Sequence, residues 1–156
     1  MKLHEETLGF LVTDLSRKMQ RAFEQRIEGS SLTPAQARTL VYVLRHEGDR
    51  QVELAELMEV QPVTLARSLD QLAEAGLVER CPDPADRRAY RIHLTPAAAP
   101  HLAAIEEVAA AIHADALRGL DAQQAETVFH ALRTMRDNLA PRIAASPINP
   151  AGATCS

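Results

Sequence analysis

The chain has 156 residues, of which 46% are hydrophobic and 24% are charged, so it can fold around a core and is not a disordered segment. Only 3% of the residues are aromatic and none is Trp, which argues against stacking platforms for single-stranded nucleic acids or sugars. The formal charge is −4, from 17 basic and 21 acidic residues, so any binding to a polyanion must depend on where individual arginines lie.

Two cysteines, Cys81 and Cys155, are too few for a disulfide framework, which favours a reducing compartment. Acidic residues stand where a signal peptide needs an apolar stretch, and no apolar run approaches the roughly 18 residues of a membrane span. We therefore expect a cytoplasmic protein that does not contact a membrane. The six histidines lack metal-ligand spacing, and no phosphate loop or nucleophile elbow occurs, so we predict neither an enzyme nor a resident metal or cofactor.

The first half of the chain predicts two helices in succession. Apolar residues recur at helical spacing over residues 8–27, and Gly29 and the serines after it end the pattern. A second helix is predicted to begin at Pro34, because Thr33 is a capping residue and Gln36 stands three positions later.

A compact unit follows these two helices. A short helix is predicted over residues 52–58, and another runs from Pro62 to about Ala75, where Gly76 ends it. Two β-type runs, residues 77–81 and 90–94, then flank a turn rich in Pro and Asp, as in a hairpin with a long tip. Two consecutive short helices followed by a hairpin describe a winged helix-turn-helix.

Two further amphipathic helices are predicted, one beginning at Pro96 and one capped by Asp121. The expected fold class is mainly α with a small β-hairpin wing, combining a winged helix-turn-helix with a helical dimerisation lobe. The first helix and the last two have apolar faces too extensive for a lobe of about 60 residues to cover, so they should bury each other and a partner subunit's copies. The apolar residues assigned to this lobe are Leu8, Leu11, Leu15, Leu117, Leu120, Val128, Leu132, Met135 and Leu139.

The expected domain organisation follows from these elements. It comprises a dimerisation helix over residues 1–31, the winged helix-turn-helix domain over 32–95, dimerisation helices over 96–140 and a flexible tail over 141–156.

The helix that begins at Pro62 has one apolar and one polar face on a helical wheel. Its leucines fall on the inward side, and Thr64, Arg67 and Gln71 fall opposite them. Glutamine can pair with adenine, arginine can bind guanine or phosphate, and threonine can contact a thymine methyl group. This helix alone leaves open the alternative of an ordinary solvated face.

The hairpin tip, Asp83-Pro84-Ala85-Asp86-Arg87-Arg88, places two adjacent arginines on an exposed turn. A rigid arginine on such a tip can enter a narrow minor groove, where the negative potential is enhanced. We expect Asp86 to hold one guanidinium in an extended pose through a bidentate bridge. A soluble turn whose charges cancel is the alternative.

Three segments resemble the MarR family of bacterial transcription regulators, and especially its SlyA-type branch. They are Leu54-Ala55-Glu56, the stretch from Thr64 to Val78, and the Asp83-to-Arg88 tip with His93-Leu94-Thr95 after it. The likeness covers residues 5 to about 140.

The resemblance implies a homodimeric repressor or anti-repressor of the bacterial cytoplasm, associated with the nucleoid when it is bound to DNA. Each subunit would bind half of a pseudo-palindromic double-stranded site, with one helix in the major groove and Arg88 in the minor groove. The implied DNA-binding residues are Pro62, Thr64, Arg67, Ser68, Gln71, Asp86, Arg87 and Arg88.

The resemblance also implies a small phenolic or other aromatic carboxylate ligand, bound between the dimerisation lobe and the DNA-binding lobe. Arg17, His46 and His101 are the candidate pocket residues, although each is also an ordinary surface residue. One departure from the family is Glu59, where a glycine is common in the helix-turn-helix turn. If that position needs a left-handed backbone, glutamate costs on the order of 1 kcal/mol.

Two other functions stay open at this stage. The winged helix can serve as a protein-interaction adaptor whose wing contacts a protein instead of DNA. Alternatively, Cys81 can make a regulator redox-responsive, since the charge of Arg80 would favour its thiolate. A half-buried small residue in a strand is the plainer interpretation of this cysteine.

Overall fold

The computed structural model describes residues 6–140, so the predicted tail over residues 141–156, with Cys155, lies outside the described residues. The elements in chain order are α1 (Leu8–Ile27), α2 (Pro34–Arg45), α3 (Gln51–Met58), α4 (Pro62–Glu74), β1 (Val78–Pro82), β2 (Tyr90–Leu94), α5 (Ala99–Ala116) and α6 (Ala122–Leu139). Strands β1 and β2 form one antiparallel hairpin, in which Val78 pairs with Leu94 and Pro82 with Tyr90. The mainly helical fold with a hairpin wing, as predicted from the sequence, is confirmed.

Two helices begin at the capping residues that the sequence predicts. At the start of α2, the Thr33 hydroxyl accepts a hydrogen bond from the Gln36 backbone N–H at 3.2 Å, and the Gln36 side chain accepts one from the Thr33 N–H at 2.8 Å. Asp121 and Gln124 form the same reciprocal pair at the start of α6. These bonds satisfy backbone donors that have no partner inside the helix.

Helix α5 begins three residues later than the sequence suggests. Residues Pro96–Ala98 form a 3₁₀ turn, and the N–H of Ala99 donates to the carbonyl of Pro96. Pro100 has no N–H, so the α-helical bond from Pro100 back to Pro96 cannot form. The second proline therefore delays the α-helix.

The hydrophobic core lies within the winged helix-turn-helix, between α2, α3, α4 and the wing. Its largest fully buried apolar side chains are Leu40, Val43, Leu54, Leu65, Leu69, Leu72 and Ile92. The leucines of α4 thus face inward, as the helical wheel predicts. Ile27 of α1 and Ile105 of α5 join the same core and attach the flanking helices to it.

Apolar side chains of α1 and α6 remain uncovered within the described chain. α6 buries none of its residues, and α1 buries only Ile27. Every residue assigned to the dimerisation lobe is exposed, except Leu117, which is half-buried. These faces are too apolar to be explained as an ordinary solvated surface.

The turn between α3 and α4 has a left-handed residue. Glu59 has φ 53° and ψ 41°, and it is the one non-glycine residue with positive φ between residues 6 and 140. The N–H of Glu59 donates to the Glu56 carbonyl and the N–H of Val60 to the Ala55 carbonyl, both at 3.1 Å, which closes α3. The turn therefore has the geometry in which glutamate is costly.

Replacing Glu59 with glycine should raise the free energy of unfolding by about 1 kcal/mol, because glycine adopts this conformation without a clash at Cβ. Urea unfolding measures the change. Glu56→Gly is the matched control, since it places glycine inside α3 and should lower the same free energy by about 1 kcal/mol. A loss of stability in both variants would contradict the left-handed assignment.

Candidate nucleic-acid interface

Helix α4 presents polar side chains on the side away from the core. Pro62 occupies its first turn, where a missing N–H costs nothing, and it is exposed. Thr64, Arg67 and Gln71 are also exposed, because the buried leucines of the same helix fix its rotation. The sequence-predicted face of α4 is therefore on the surface.

Two of the predicted α4 residues contact α2. The Ser68 hydroxyl lies 3.0 Å from the Thr39 hydroxyl, and Ser68 is half-buried, so it faces the protein rather than the outward side. On the helical wheel Ser68 borders the leucine face, which is the signal that predicts this orientation. The Gln71 side-chain oxygen accepts a hydrogen bond from the Gln36 amide at 3.2 Å, and the Gln71 amide nitrogen takes no part in this bond.

The wing tip carries Arg87 and Arg88, both exposed. The expected bridge from Asp86 to one of these guanidinium groups is wrong: no ion pair within residues 6–140 joins them. The Asp86 carboxylate instead accepts a hydrogen bond from the backbone N–H of Arg88 at 3.0 Å. A short carboxylate in a tight turn lies closer to the backbone two residues ahead than to a guanidinium, so Asp86 orders the tip through its backbone.

Internal ion pairs decide which arginines are available at the surface. Arg80 donates to the Asp70 carboxylate at 2.7 Å, and also to the Gln51 side chain and the Ala66 carbonyl. Arg91 lies in a second internal ion pair, with Asp83. Of the arginines in residues 60–95, those outside internal pairs in the described chain are Arg67, Arg87 and Arg88. These arginines lie on α4 and on the wing tip, and Glu74, Glu79 and Asp86 are the carboxylates of the same segment outside internal ion pairs in the described chain.

Asp83 is a central residue that the sequence analysis did not single out. Its side chain is completely buried, and its carboxylate lies 2.6 Å from Arg50 Nε and 3.2 Å from Arg91 Nη2. A hydrogen bond from the Ala85 backbone N–H, together with Arg50, holds the pKa of Asp83 below its ordinary value, although burial opposes this shift. The bond to Asp83 in turn raises the pKa of Arg50. No sequence pattern pairs these residues, because Arg50 and Asp83 are distant along the chain.

A cavity of about 740 Å³ lies between α1, α2, α4 and α5. Phe23 and Ile105 contribute apolar wall, and Arg38 is the one basic side chain among the described residues that line it. The Arg38 guanidinium donates to the Met58 carbonyl at 3.2 Å and lies 5.6 Å from the centre of the Tyr42 ring. The size suits a small organic molecule.

The three residues that the sequence singled out for a ligand do not line this cavity. Arg17 is exposed on α1. His46 follows α2, with its Nδ1 3.4 Å from an Asp49 carboxylate oxygen, and the Nδ1 of His101 lies 3.4 Å from the Ser31 hydroxyl. The structure therefore does not bring these three side chains together.

Other candidate sites are few in the described chain. No group of three or more His, Cys, Asp or Glu side chains within residues 6–140 is placed to hold a metal ion. None of the helices in that range combines the length and hydropathy needed to cross a bilayer. Cys81 lies buried on β1, opposite Arg91 in the hairpin register.

Comparison with known proteins agrees with this architecture. Residues 30–89 match a sequence model of the MarR family. The apo form of wild-type MarR from E. coli has 26% identity and a TM-score of 0.75, with 85% of this chain and 98% of that chain covered. A MarR transcriptional regulator from Methanosarcina mazei Go1 has 25% identity and a TM-score of 0.75, covering 86% and 96%.

A third structure is a Cys-to-Ser mutant of E. coli MarR complexed with operator DNA. It has 26% identity to this chain and a TM-score of 0.66, with 82% of this chain and 92% of that chain covered. Over residues 30–89 the chain is therefore similar in sequence to the MarR family, and its fold is similar to those of solved MarR structures.

Proposed function

We propose that this protein is a homodimeric, SlyA-type transcription regulator that binds pseudo-palindromic duplex DNA as a repressor or anti-repressor in the bacterial cytoplasm. The observation that carries the proposal is the placement of the arginines outside internal ion pairs, with Arg67 on α4 and Arg87 and Arg88 on the wing tip. The E. coli relative complexed with operator DNA supports it, since it shares the fold.

The distribution of charge explains how a protein of net charge −4 binds a polyanion. α4 would enter the major groove, where Thr64 and the Gln71 amide contact base edges and Arg67 contacts guanine or phosphate. Arg88, with Arg87 beside it, would enter the minor groove. Local placement of these side chains, and not the total charge, then provides the attraction.

The uncovered apolar faces of α1 and α6 support a second copy of this chain as the partner. A twofold dimer buries the same face on both subunits, so a single uncovered apolar stripe on each subunit is enough to form the interface. It would also hold two recognition helices about one turn of DNA apart, which matches a pseudo-palindromic site.

The cavity supports a small aromatic carboxylate as the ligand. Arg38 would bind the carboxylate, and Phe23 and Ile105 would contact the ring. Thr64 and Ser68 of α4 also line the cavity, so an occupant would act directly on the DNA-binding helix. In this proposal the ligand releases the protein from DNA.

Exchanging Arg88 for alanine should weaken binding to the preferred duplex by about 1–3 kcal/mol and relax the preference for a narrow, A·T-rich minor groove. Fluorescence anisotropy on a duplex selected from a random pool measures both effects. Arg21→Ala, which removes an exposed arginine of α1, is the matched control and should leave binding unchanged.

The salt dependence of the same measurement separates DNA binding from an adaptor function. Affinity for the duplex should fall steeply with salt, because neutralised phosphates release counterions, and Arg88→Ala should reduce that slope by about one. Equal affinity of parent and Arg88→Ala at physiological salt would contradict the assignment of the wing. Absence of any duplex binding would favour the adaptor.

Leu132→Glu on α6 should convert the dimer into a monomer, because it places a charge on the uncovered apolar face of both copies. It also removes a leucine whose burial in the interface would contribute about 1.5–3 kcal/mol to the free energy of association. Sedimentation velocity measures the change, and tight duplex binding should be lost with it. Thr134→Glu is the control, since Thr134 lies on the opposite side of α6. A Leu132→Glu protein that still dimerised would contradict this interface.

Benzoate, the simplest aromatic carboxylate, should raise the thermal unfolding midpoint by about 3 °C at ten times its dissociation constant. It should also weaken duplex binding. Both effects should vanish in Arg38→Gln and persist in Arg21→Gln. Benzoate effects that survive in Arg38→Gln would place the ligand elsewhere.

A further inference from the structure

We propose that Asp83 is a positioning residue for DNA binding: its buried carboxylate, held between Arg50 and Arg91, fixes the wing tip relative to the helix-turn-helix. The inference rests on the proposed function, because the side chains that it positions are the wing arginines. Asp83 itself is completely buried and does not reach DNA.

The carboxylate connects three separate segments. One oxygen accepts a hydrogen bond from Arg50 Nε at 2.6 Å and lies 3.2 Å from Arg91 Nη2. The other oxygen accepts a hydrogen bond from the Ala85 backbone N–H at 2.8 Å. Arg50 immediately precedes α3, Arg91 lies on β2, and Ala85 lies in the tip. One side chain therefore joins the first helix of the helix-turn-helix, the wing strand and the wing tip.

Backbone pairing on the same side strengthens this junction. Arg50 and Arg91 form an isolated antiparallel bridge. The Gly48 N–H donates to the Ile92 carbonyl at 2.9 Å, and the Ile92 N–H donates to the Asp49 carbonyl at 3.1 Å. Arg91 also donates to the Gly48 carbonyl through its Nη1 at 2.8 Å. The residues before α3 thus run beside β2, and Asp83 ties the wing base to them.

Asp83 also closes the loop that carries the wing arginines. Its N–H donates to the Ala89 carbonyl at 3.0 Å, and its carbonyl accepts from the Asp86 N–H at 3.3 Å. Within that loop the Asp86 carboxylate accepts from the Arg88 N–H. The path from the buried carboxylate to the backbone of Arg88 therefore consists of hydrogen bonds between neighbouring residues.

The charge of Asp83 is essential to this role. Each of Arg50 and Arg91 is about one-third exposed, and the Asp83 carboxylate is the anion between them. The hydrogen bond from Ala85 and the charge of Arg50 keep the pKa of Asp83 below its ordinary value, so the group is ionised at neutral pH. Asparagine retains the shape and the acceptor for Ala85, but it removes the negative charge between the two guanidinium groups, where Asp86 and Glu53 act on Arg50 less than Asp83 does.

A double-mutant cycle on the full chain tests the proposal with Asp83→Asn, Arg88→Ala and the double variant. The probe is the duplex selected from a random pool, at fixed salt. Asp83→Asn should weaken binding roughly tenfold, and adding Arg88→Ala should then cost much less than it costs in the parent, because both changes remove the same contact. Asp137→Asn is the matched control: it breaks the exposed pair with Arg136 on α6 and should change affinity less than about twofold.

Amide hydrogen exchange provides a readout that does not need DNA. The amides of Arg88 and Ala89 should exchange roughly tenfold faster in Asp83→Asn than in the parent, and at parental rates in Asp137→Asn. If Asp83→Asn does not fold, Arg91→Gln removes one of the two cations and should show the same dependence on Arg88 and the same faster exchange.

The outcomes separate this inference from the proposed function. Unchanged binding and unchanged exchange in Asp83→Asn would overturn the positioning role. So would a loss of affinity fully additive with that of Arg88→Ala, because it would indicate a general effect on the fold. If the parent binds no duplex, the proposed function fails, and the exchange rates alone decide whether Asp83 orders the tip.

Discussion

Burial of the leucine face of α4 fixes the rotation of that helix and with it the rest of the proposed DNA-binding surface. Leu65, Leu69 and Leu72 are packed against α2, α3 and the wing, so the helix cannot turn without exposing them to water. Thr64 and Arg67 are outside because the leucines are inside. The same packing turns Ser68 towards α2, where it meets the Thr39 hydroxyl. Hydrophobic burial thereby determines which polar groups can meet a ligand.

Ion pairing then selects among the charges that this rotation leaves near the surface. Arg80 forms an ion pair with Asp70, and Arg91 forms one with Asp83. Arg87 and Arg88 remain outside internal ion pairs in the described chain. The arginines of residues 60–95 that stay outside internal pairs in the described chain therefore lie on α4 and on the wing tip. The two pairs differ in environment, since Asp70 is largely exposed and Asp83 is completely buried. A buried carboxylate tolerates loss of its partners far less than an exposed one, which makes the wing base the more sensitive of the two junctions.

The flanking helices α1, α5 and α6 are held much less by the hydrophobic core of their own subunit. α1 and α5 are attached to the core through Ile27 and Ile105, but α6 buries nothing within the described chain. A helix of 18 residues with an uncovered apolar stripe gains little stability from its own subunit. The cavity lies where α1 and α5 meet α2 and α4. It is therefore at the junction between the well-packed winged helix-turn-helix and the flanking helices, whose apolar faces are only partly covered.

The sequence by itself determined the order of the elements, the caps at Thr33 and Asp121, the inward face of α4 and the exposed arginines of the wing. These features are encoded locally, by helical periodicity, capping chemistry and turn residues within a few positions of one another. Only the tertiary structure decided the partners of Asp83, the lining of the cavity and the orientation of the Asp86 carboxylate, which the sequence analysis assigned to a guanidinium. Such contacts join residues far apart in the chain or depend on the exact path of a turn. The spacing of residues along the sequence gives neither the distance between two such residues in space nor the direction in which a side chain lies.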